Sequence, residues 1–281
     1  GIFLSNMGYK TYIIDLDLGS ANLHTTLGAG VPQVGLQNYI TNQVTDFKDI
    51  AVETPFPNLK LISGNNDALD MANINSAQKS KIMSGIHNLE ADYIILDLSA
   101  GTHETTLDFF LMAHKHLLVT TPEPSSIENV YRFMKASFFR YLKRYEYQFN
   151  LREVVNELMT NKVELNIKSP SDLLKLIKVK DPENGKRLCE QIERFEFQII
   201  LNQTRTFKDV ELGESIKLVS SKYFSMNTHF LGHVDHDNAV WQSLRKRRHL
   251  IVEYPHSRLY SQLMKITREL VREDLKRVAT K

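Results

Sequence analysis

Six short apolar runs of strand length, separated by stretches of helical period, limit this chain to very few folds. The runs are Tyr12 to Leu16, Leu59 to Ile62, Tyr93 to Leu98, His116 to Thr121, Phe197 to Leu201 and His229 to Val234. Most are apolar at successive rather than alternate positions, the pattern of strands buried on both faces in a parallel sheet. Helical patterns fill the gaps: Ser76 to Leu89, Thr105 to His114, Ile127 to Tyr145, Asp209 to Tyr223 and Ser257 to Lys276. Strand alternating with helix predicts an α/β fold, a doubly wound and mostly parallel sheet flanked by helices. Composition adds exclusions. With 42% hydrophobic and 24% charged residues the chain is neither disordered nor fibrous. Its single cysteine, Cys189, cannot close an internal disulfide or build a zinc finger. No apolar run approaches the roughly 20 residues of a membrane span. A net charge of +2 is too mild to imply nucleic acid.

One segment breaks the alternation. From about residue 136 to 193 the short link to the next strand is replaced by charge-rich helical sequence, read as a helical insertion. Ser169-Pro170-Ser171-Asp172 is expected to start a helix and Asp181-Pro182-Glu183-Asn184-Gly185 to form a turn. The first residues, Gly1 to Met7, read as the last turns of a helix stopped at Gly8. The expectation is therefore that residues preceding Gly1 exist in the natural protein.

In open α/β sheets ligands bind beyond the carboxyl ends of the strands, so polar residues there are the first candidates. Asp15-Leu16-Asp17 ends the first run, and strand alternation would place both carboxylates on one side. Such a pair suits a hydrated magnesium ion and a nucleophilic water; the plain alternative is two solvated aspartates capping the next helix. Tyr93-Ile94-Ile95-Leu96-Asp97 is an apolar strand ending in Asp, followed by Leu98-Ser99-Ala100-Gly101. Nucleotide hydrolases place an Asp beside Mg²⁺ in this way, although apolar runs ending in Asp are also common without function. The third end, Leu117-Leu118-Val119-Thr120-Thr121-Pro122-Glu123-Pro124-Ser125-Ser126, reads as a strand, a proline-stiffened turn and a helix capped by serine.

In order and texture the three resemble the MinD/ParA family of P-loop ATPases. Asp15-Leu16-Asp17-Leu18-Gly19-Ser20-Ala21-Asn22-Leu23 is similar to the family's first switch and Asp97 to Gly101 to its second. Thr121-Pro122-Glu123-Pro124-Ser125-Ser126-Ile127 resembles the signature of the MinD-like branch that controls flagellar number and placement, and is the most specific match. Ile200-Leu201-Asn202-Gln203 resembles the strand whose Asn reads adenine. Gly232 to Asp237, with Val240 and Ser243, resembles the C-terminal nucleotide loop, with Asp235 where the family usually has Pro. The likeness covers nearly the whole chain except the insertion.

The resemblance implies roles residue by residue. Asp17 would be catalytic, orienting the attacking water. Asp15 and Asp97 would hold Mg²⁺ through water, and Gly101 would sense the γ-phosphate of ATP. Asn202 and Asp237 would contact the base. The family's glycine-rich phosphate loop has no counterpart in these residues. The resemblance puts it, and the strand before it, ahead of Gly1, so that residues 1 to 281 form one P-loop NTPase-like domain lacking both. ATP hydrolysis is expected where that loop is present, with a homodimer forming on ATP and a further protein partner or activator. The implied role is spatial positioning or number control of an assembly such as the flagellum. The alternative is a non-catalytic relative that binds a partner and has lost nucleotide binding.

The implied location is the cytoplasm. The basic run Arg245-Lys246-Arg247-Arg248-His249 is read as a solvated helix end, with a DNA-facing or dimer surface as the other reading. Ile127, Val130, Tyr131, Met134, Phe138, Leu142 and Tyr145 recur at helical spacing and read as core packing. Basic residues beside them leave attachment to the inner face of a membrane open. Glu273 to Lys281 has few bulky apolar residues and is not read as an anchor.

Overall fold

The computed structural model describes residues 1–19, 21–64, 74–246 and 248–279, with side chains through 272. Ser20 of the first switch-like motif, Arg247 of the basic run and the side chains after residue 272 lie outside the described residues. The chain divides into two compact units. The first comprises residues 1–100, 108–112 and 237–281, the second 101–107 and 113–236.

The first unit begins with α1 (Ile2–Asn6), which buries Ile2, Phe3 and Leu4 and ends ahead of Gly8. Then follow β1 (Thr11–Leu16), α2 (Leu23–Leu27), α3 (Leu36–Ile40) and a 3-10 turn at Phe47–Ile50. After these come β2 (Val52–Glu53), β3 (Leu59–Ile62), α4 (Ser76–His87) and β4 (Tyr93–Leu98). The sheet runs β2-β3-β1-β4, with β1 parallel to both neighbours and only the two-residue β2 antiparallel.

Alternation along β1 divides its side chains between two cores. Tyr12, Ile14 and Leu16 join Ile62, Leu36, Ile82 and Ile86 on one face, while Ile13 joins Leu59, Leu61, Phe3, Leu27 and Ile251 on the other. Each such side chain contributes about 1.5–3 kcal/mol on full burial. That is why the run is apolar at successive positions, and it is what winds helices onto both faces. α4 is started by a reciprocal pair in which Asn75 and Gln78 accept each other's backbone N–H.

α5 (Glu104–Met112) passes between the units in sequence. The second unit holds β5 (His116–Thr120), α6 (Pro124–Gln148), α7 (Arg152–Thr160), α8 (Pro170–Lys180) and α9 (Pro182–Arg194). It continues with β6 (Glu196–Thr204), α10 (Phe207–Phe224) and β7 (Asn227–Asp235), giving an all-parallel sheet of order β5-β6-β7. Met134, Phe138, Phe197, Ile199 and Phe224 are fully enclosed in this unit, so the apolar stripe of α6 is core packing as its spacing predicts. The first unit is completed by α11 (Asn238–Arg245), α12 (Leu250–Glu253) and α13 (Arg258–Ala279). No described helix is long and apolar enough to cross a membrane.

Several expectations change in detail. The insertion expected from residue 136 starts inside the continuous α6, so its separate helices are α7, α8 and α9. Ser169 caps α8 as expected, its hydroxyl accepting the Asp172 amide. Asp181 to Gly185 is no free turn. Asp181 ends α8 and caps α9 by accepting the Asn184 amide, with Pro182 at the first helical position. Gly185 then sits within the helix because α8 crowds it: a Cβ there would meet the Lys178 Cα at 2.7 Å. β5 is apolar at successive positions but an edge strand of its sheet, and Leu117 and Val119 are exposed.

Candidate functional site

Three carboxylates gather at the carboxyl ends of β1 and β4. Asp15 and Asp97 are paired directly in the parallel register of the two strands, one residue before each strand ends. Asp15 is 1% exposed. Burial on that scale is tolerable for a carboxylate only when its oxygens are satisfied. One oxygen accepts the Leu23 amide at 3.0 Å and the other the Asp17 amide at 3.3 Å.

The expected placement of Asp15 and Asp17 side by side on one strand is thereby corrected. β1 ends at Leu16, and the backbone turns so that the Asp17 amide points back at the Asp15 carboxylate. Asp17 lies beyond the strand, half-buried.

The electrostatics are those of a cluster short of positive charge. Desolvation pushes the Asp15 pKa up, with a further push from the Asp17 charge, against the hydrogen bonds from Leu23, Asp17 and Asn22. Asp97 is solvent-accessible at the strand end, yet neighbouring protein atoms desolvate it enough to raise its pKa. The charges of Asp15 and Asp17 raise it further. Among the described residues no group of three His, Cys, Asp or Glu converges to ligate a metal directly. The donor set fits a hydrated cation, because carboxylates with raised pKa values gain most from a positive charge held through water.

A residue not singled out from sequence belongs to this cluster. Gly64 follows β3, and a Cβ built on it would lie 2.9 Å from the Ala21 Cβ and 3.1 Å from the Asp15 carbonyl oxygen. Its missing side chain lets the β3 exit pack onto the backbone of Asp15. The sequence shows only an isolated Ser-Gly, and the crowding is a product of strand order.

The other candidates have separate settings. Gly101 adopts φ 100°, a conformation that disfavours any residue with a side chain. Asn202, near the end of β6, accepts the Gln203 amide at 2.9 Å, and Gln203 itself takes a left-handed φ of 59°. Asp237 is the cap of α11, its carboxylate accepting the Ala239 amide at 2.8 Å. The structure brings together Asp15, Asp17 and Asp97; Gly101 and Asn202 belong to the second unit, and Asp237 to the first.

The Thr-Pro-Glu-Pro turn also differs from expectation. Glu123, not a serine, caps α6, and Pro124 occupies its first turn. The Ser126 hydroxyl reaches back, accepting the Thr121 amide at 3.2 Å and lying 2.9 Å from the Thr120 hydroxyl. A hydrogen bond with Thr121 is the main cause holding the Glu123 carboxyl below its ordinary pKa. This network fixes the path from β5 into α6.

Parallel strands flanked by helices, with acidic residues at their carboxyl ends, define a doubly wound α/β fold whose ligand-binding edge is acidic. Solved structures bear out the class. Cell division ATPase MinD from Pyrococcus furiosus superposes with a TM-score of 0.62 over 96% of this chain and 89% of that one, at 18% identity. Septum site-determining protein MinD from Pyrococcus horikoshii, complexed with Mg-ADP, gives 0.60 over 96% and 86%, at 17% identity. In sequence, the septum site-determining protein MinD of Synechocystis is 29% identical over 182 residues, 64% of this chain and 65% of that protein. The flagellum site-determining protein YlxH of Helicobacter pylori is 29% identical over 139 residues, 47% and 45% of the two chains. The chain thus spans about half to two thirds of the length of these relatives. No family model matches it. The chain is thus similar in sequence to MinD, FleN and YlxH proteins and shares the fold of MinD and ParA-family structures.

Proposed function

We propose that this protein is an ATP-gated dimeric switch that positions a cellular assembly or controls its number, the flagellum or a similar structure. The observation that carries the reading is the in-register pair Asp15 and Asp97, two carboxylates whose ionisation the protein itself opposes, with the Asp17 turn beside them. Similarity to YlxH supports the flagellar branch, and the Mg-ADP held by the Pyrococcus horikoshii protein supports a magnesium nucleotide as ligand.

In this reading Asp15 and Asp97 hold Mg²⁺ through water, and Asp17, on the turn beyond β1, orients the water that attacks the terminal phosphate. Bound Mg²⁺ would supply charge neutralisation at the phosphates. Gly101 gives the second switch the backbone freedom to close on the γ-phosphate, and Asn202 and Asp237 contact the base. Closure of two copies on ATP and their release after hydrolysis would be the output, in the cytoplasm or at the inner face of the membrane. The reading needs a phosphate-binding loop, expected ahead of Gly1, so the test uses the natural protein, with its mass and N-terminal sequence determined first.

Phosphate release and ATP affinity are then measured for wild type and Asp17→Ala. The variant is expected to bind ATP within a few-fold of wild type and to lose turnover by about 10²-fold or more. Unchanged turnover removes Asp17 from the role, and a natural protein that does not bind ATP overturns the ATPase reading.

A further inference from the structure

Helices α8 and α9 form a hairpin inside the second unit, and a cleft opens between them. Near the hairpin turn the two backbones touch: a Cβ on Gly185 would meet the Lys178 Cα at 2.7 Å and the Ile177 carbonyl oxygen at 3.0 Å. Further from the turn the helices part around a cavity of about 160 Å³. Ser171, Leu174, Lys175 and Lys178 line it from α8, and Cys189, Ile192 and Glu193 from α9. Spacings of three and four residues put each set on one helix face. Ser225, which ends α10 in a left-handed conformation, closes the far end by donating a hydrogen bond of 2.8 Å to the Ser171 hydroxyl.

The floor of the cleft is apolar and its rim is charged. Leu174 and Ile192 are 3% and 0% exposed, whereas Lys175 and Lys178 are exposed. Asp172 lies 3.8 Å from the Lys175 ammonium, at the limit of an ion pair, while its other oxygen accepts the Lys168 and Ser169 amides. Among the described residues no carboxylate pairs with Lys178. The lining therefore carries two cations on the α8 wall against one carboxylate, Glu193, on the α9 wall. Val179 adjoins Lys175 one helical turn along α8 and is 75% exposed, an aliphatic side chain left in water beside the cleft.

We propose that the α8–α9 cleft docks an acidic peptide segment of a partner protein, anchored by one apolar side chain. Size decides against a small ligand, because pockets that enclose one run to roughly 300–1,000 Å³, and this cleft has about 160 Å³. A single aliphatic or aromatic side chain reaching Leu174 and Ile192 is buried as the anchors of protein interfaces are, in a pocket rimmed by polar groups. Carboxylates on either side of that anchor then meet Lys175 and Lys178, and Val179 packs against its flank. A phosphate or a lipid headgroup would reward the lysines and leave the apolar floor uncovered. The inference says what the further protein partner of the proposed switch presents, and it does not rest on nucleotide binding.

Cys189 lines the cleft and reports on its occupancy. The natural protein is panned against a random peptide library displayed on phage. Enriched peptides are then synthesised, their affinity is measured by fluorescence anisotropy, and maleimide labelling of Cys189 is followed by mass spectrometry of the peptide containing it. Enrichment of sequences with an apolar residue flanked by Asp or Glu is the expected result, with Cys189 labelling slowed by saturating peptide. The double variant Lys175→Gln/Lys178→Gln should bind about tenfold more weakly, and added salt should weaken wild-type binding toward the same level. Both lysines are exposed, so the far-ultraviolet circular dichroism of the variant should match wild type. The proposal is overturned if no peptide is enriched, if the enriched sequences lack acidic residues, or if binding survives intact in the double variant. It is equally overturned if bound peptide leaves Cys189 labelling unchanged, or if inorganic phosphate or phosphatidylglycerol vesicles slow that labelling as the peptide does.

Discussion

Replacing Asp97 by Asn should make the nucleotide-free protein more stable, and only where the cluster is ionised. Residues paired across neighbouring parallel strands lie roughly 5 Å apart. Two unit charges at that separation repel by about 0.8 kcal/mol in water and about 3 kcal/mol at an effective dielectric constant near 20. Because Asp97 is solvent-accessible, the lower part of that range applies, and removing its charge should gain about 1 kcal/mol at neutral pH. In a domain of this size such a gain moves the melting temperature by roughly 2–4 °C.

The pH dependence has a definite sign. Both Asp15 and Asp97 have pKa values raised by folding, so the folded state prefers them protonated. Their contribution is most favourable below the ordinary carboxylate range and is lost as pH rises through the raised values. Differential scanning fluorimetry of wild type and Asp97→Asn across that range should therefore show curves that coincide at acid pH and separate toward neutrality. Magnesium should raise the wild-type curve more than that of the variant. A variant no more stable than wild type at neutral pH, or a gain that persists in acid, refutes the electrostatic account; the second result would place the effect in packing.

Two further outcomes follow from the same cluster. Asp15→Ala orphans the amides of Leu23 and Asp17 and should cost about 1–3 kcal/mol in chemical denaturation, the opposite sign from Asp97→Asn despite removal of the same charge. Gly64→Ala forces a methyl group against the Asp15 carbonyl and the Ala21 methyl, and should destabilise the first unit by about 1–3 kcal/mol, measurable as a lower denaturation midpoint.

Much of the fold is legible in the sequence because buried parallel strands need apolar residues on both sides. The six runs therefore stand out, and the ends of β3 and β4 fall where composition changes. What stays hidden is short or context-dependent. β2 has two residues and no pattern of its own. β6 extends through Gln203 and Thr204, polar residues held in place by the Thr204 hydroxyl bonding Asp235 on β7. The start of α9 looks like a turn because Asp, Pro, Asn and Gly favour turns; they equally suit a capped first helical turn, and only packing on α8 decides. In the site, Asp15, Asp17 and Asp97 are marked by strand-end position, but the register pairing of Asp15 with Asp97, the inward turn at Asp17 and the crowding at Gly64 depend on which strands are neighbours. A linear pattern does not carry that information.

That pairing also sets two opposed demands on one carboxylate. Asp15 holds the chain after β1 by accepting amides from Asp17 and Leu23, and it does so best when ionised. Its ionisation is opposed by burial and by Asp17, and Asp15 in turn raises the pKa of Asp97. A cation held near the cluster would favour the ionised form, and with it the hydrogen bonds that Asp15 accepts from the segment carrying Asp17. By linkage the effect is reciprocal: whatever orders that segment must also raise the affinity for the cation.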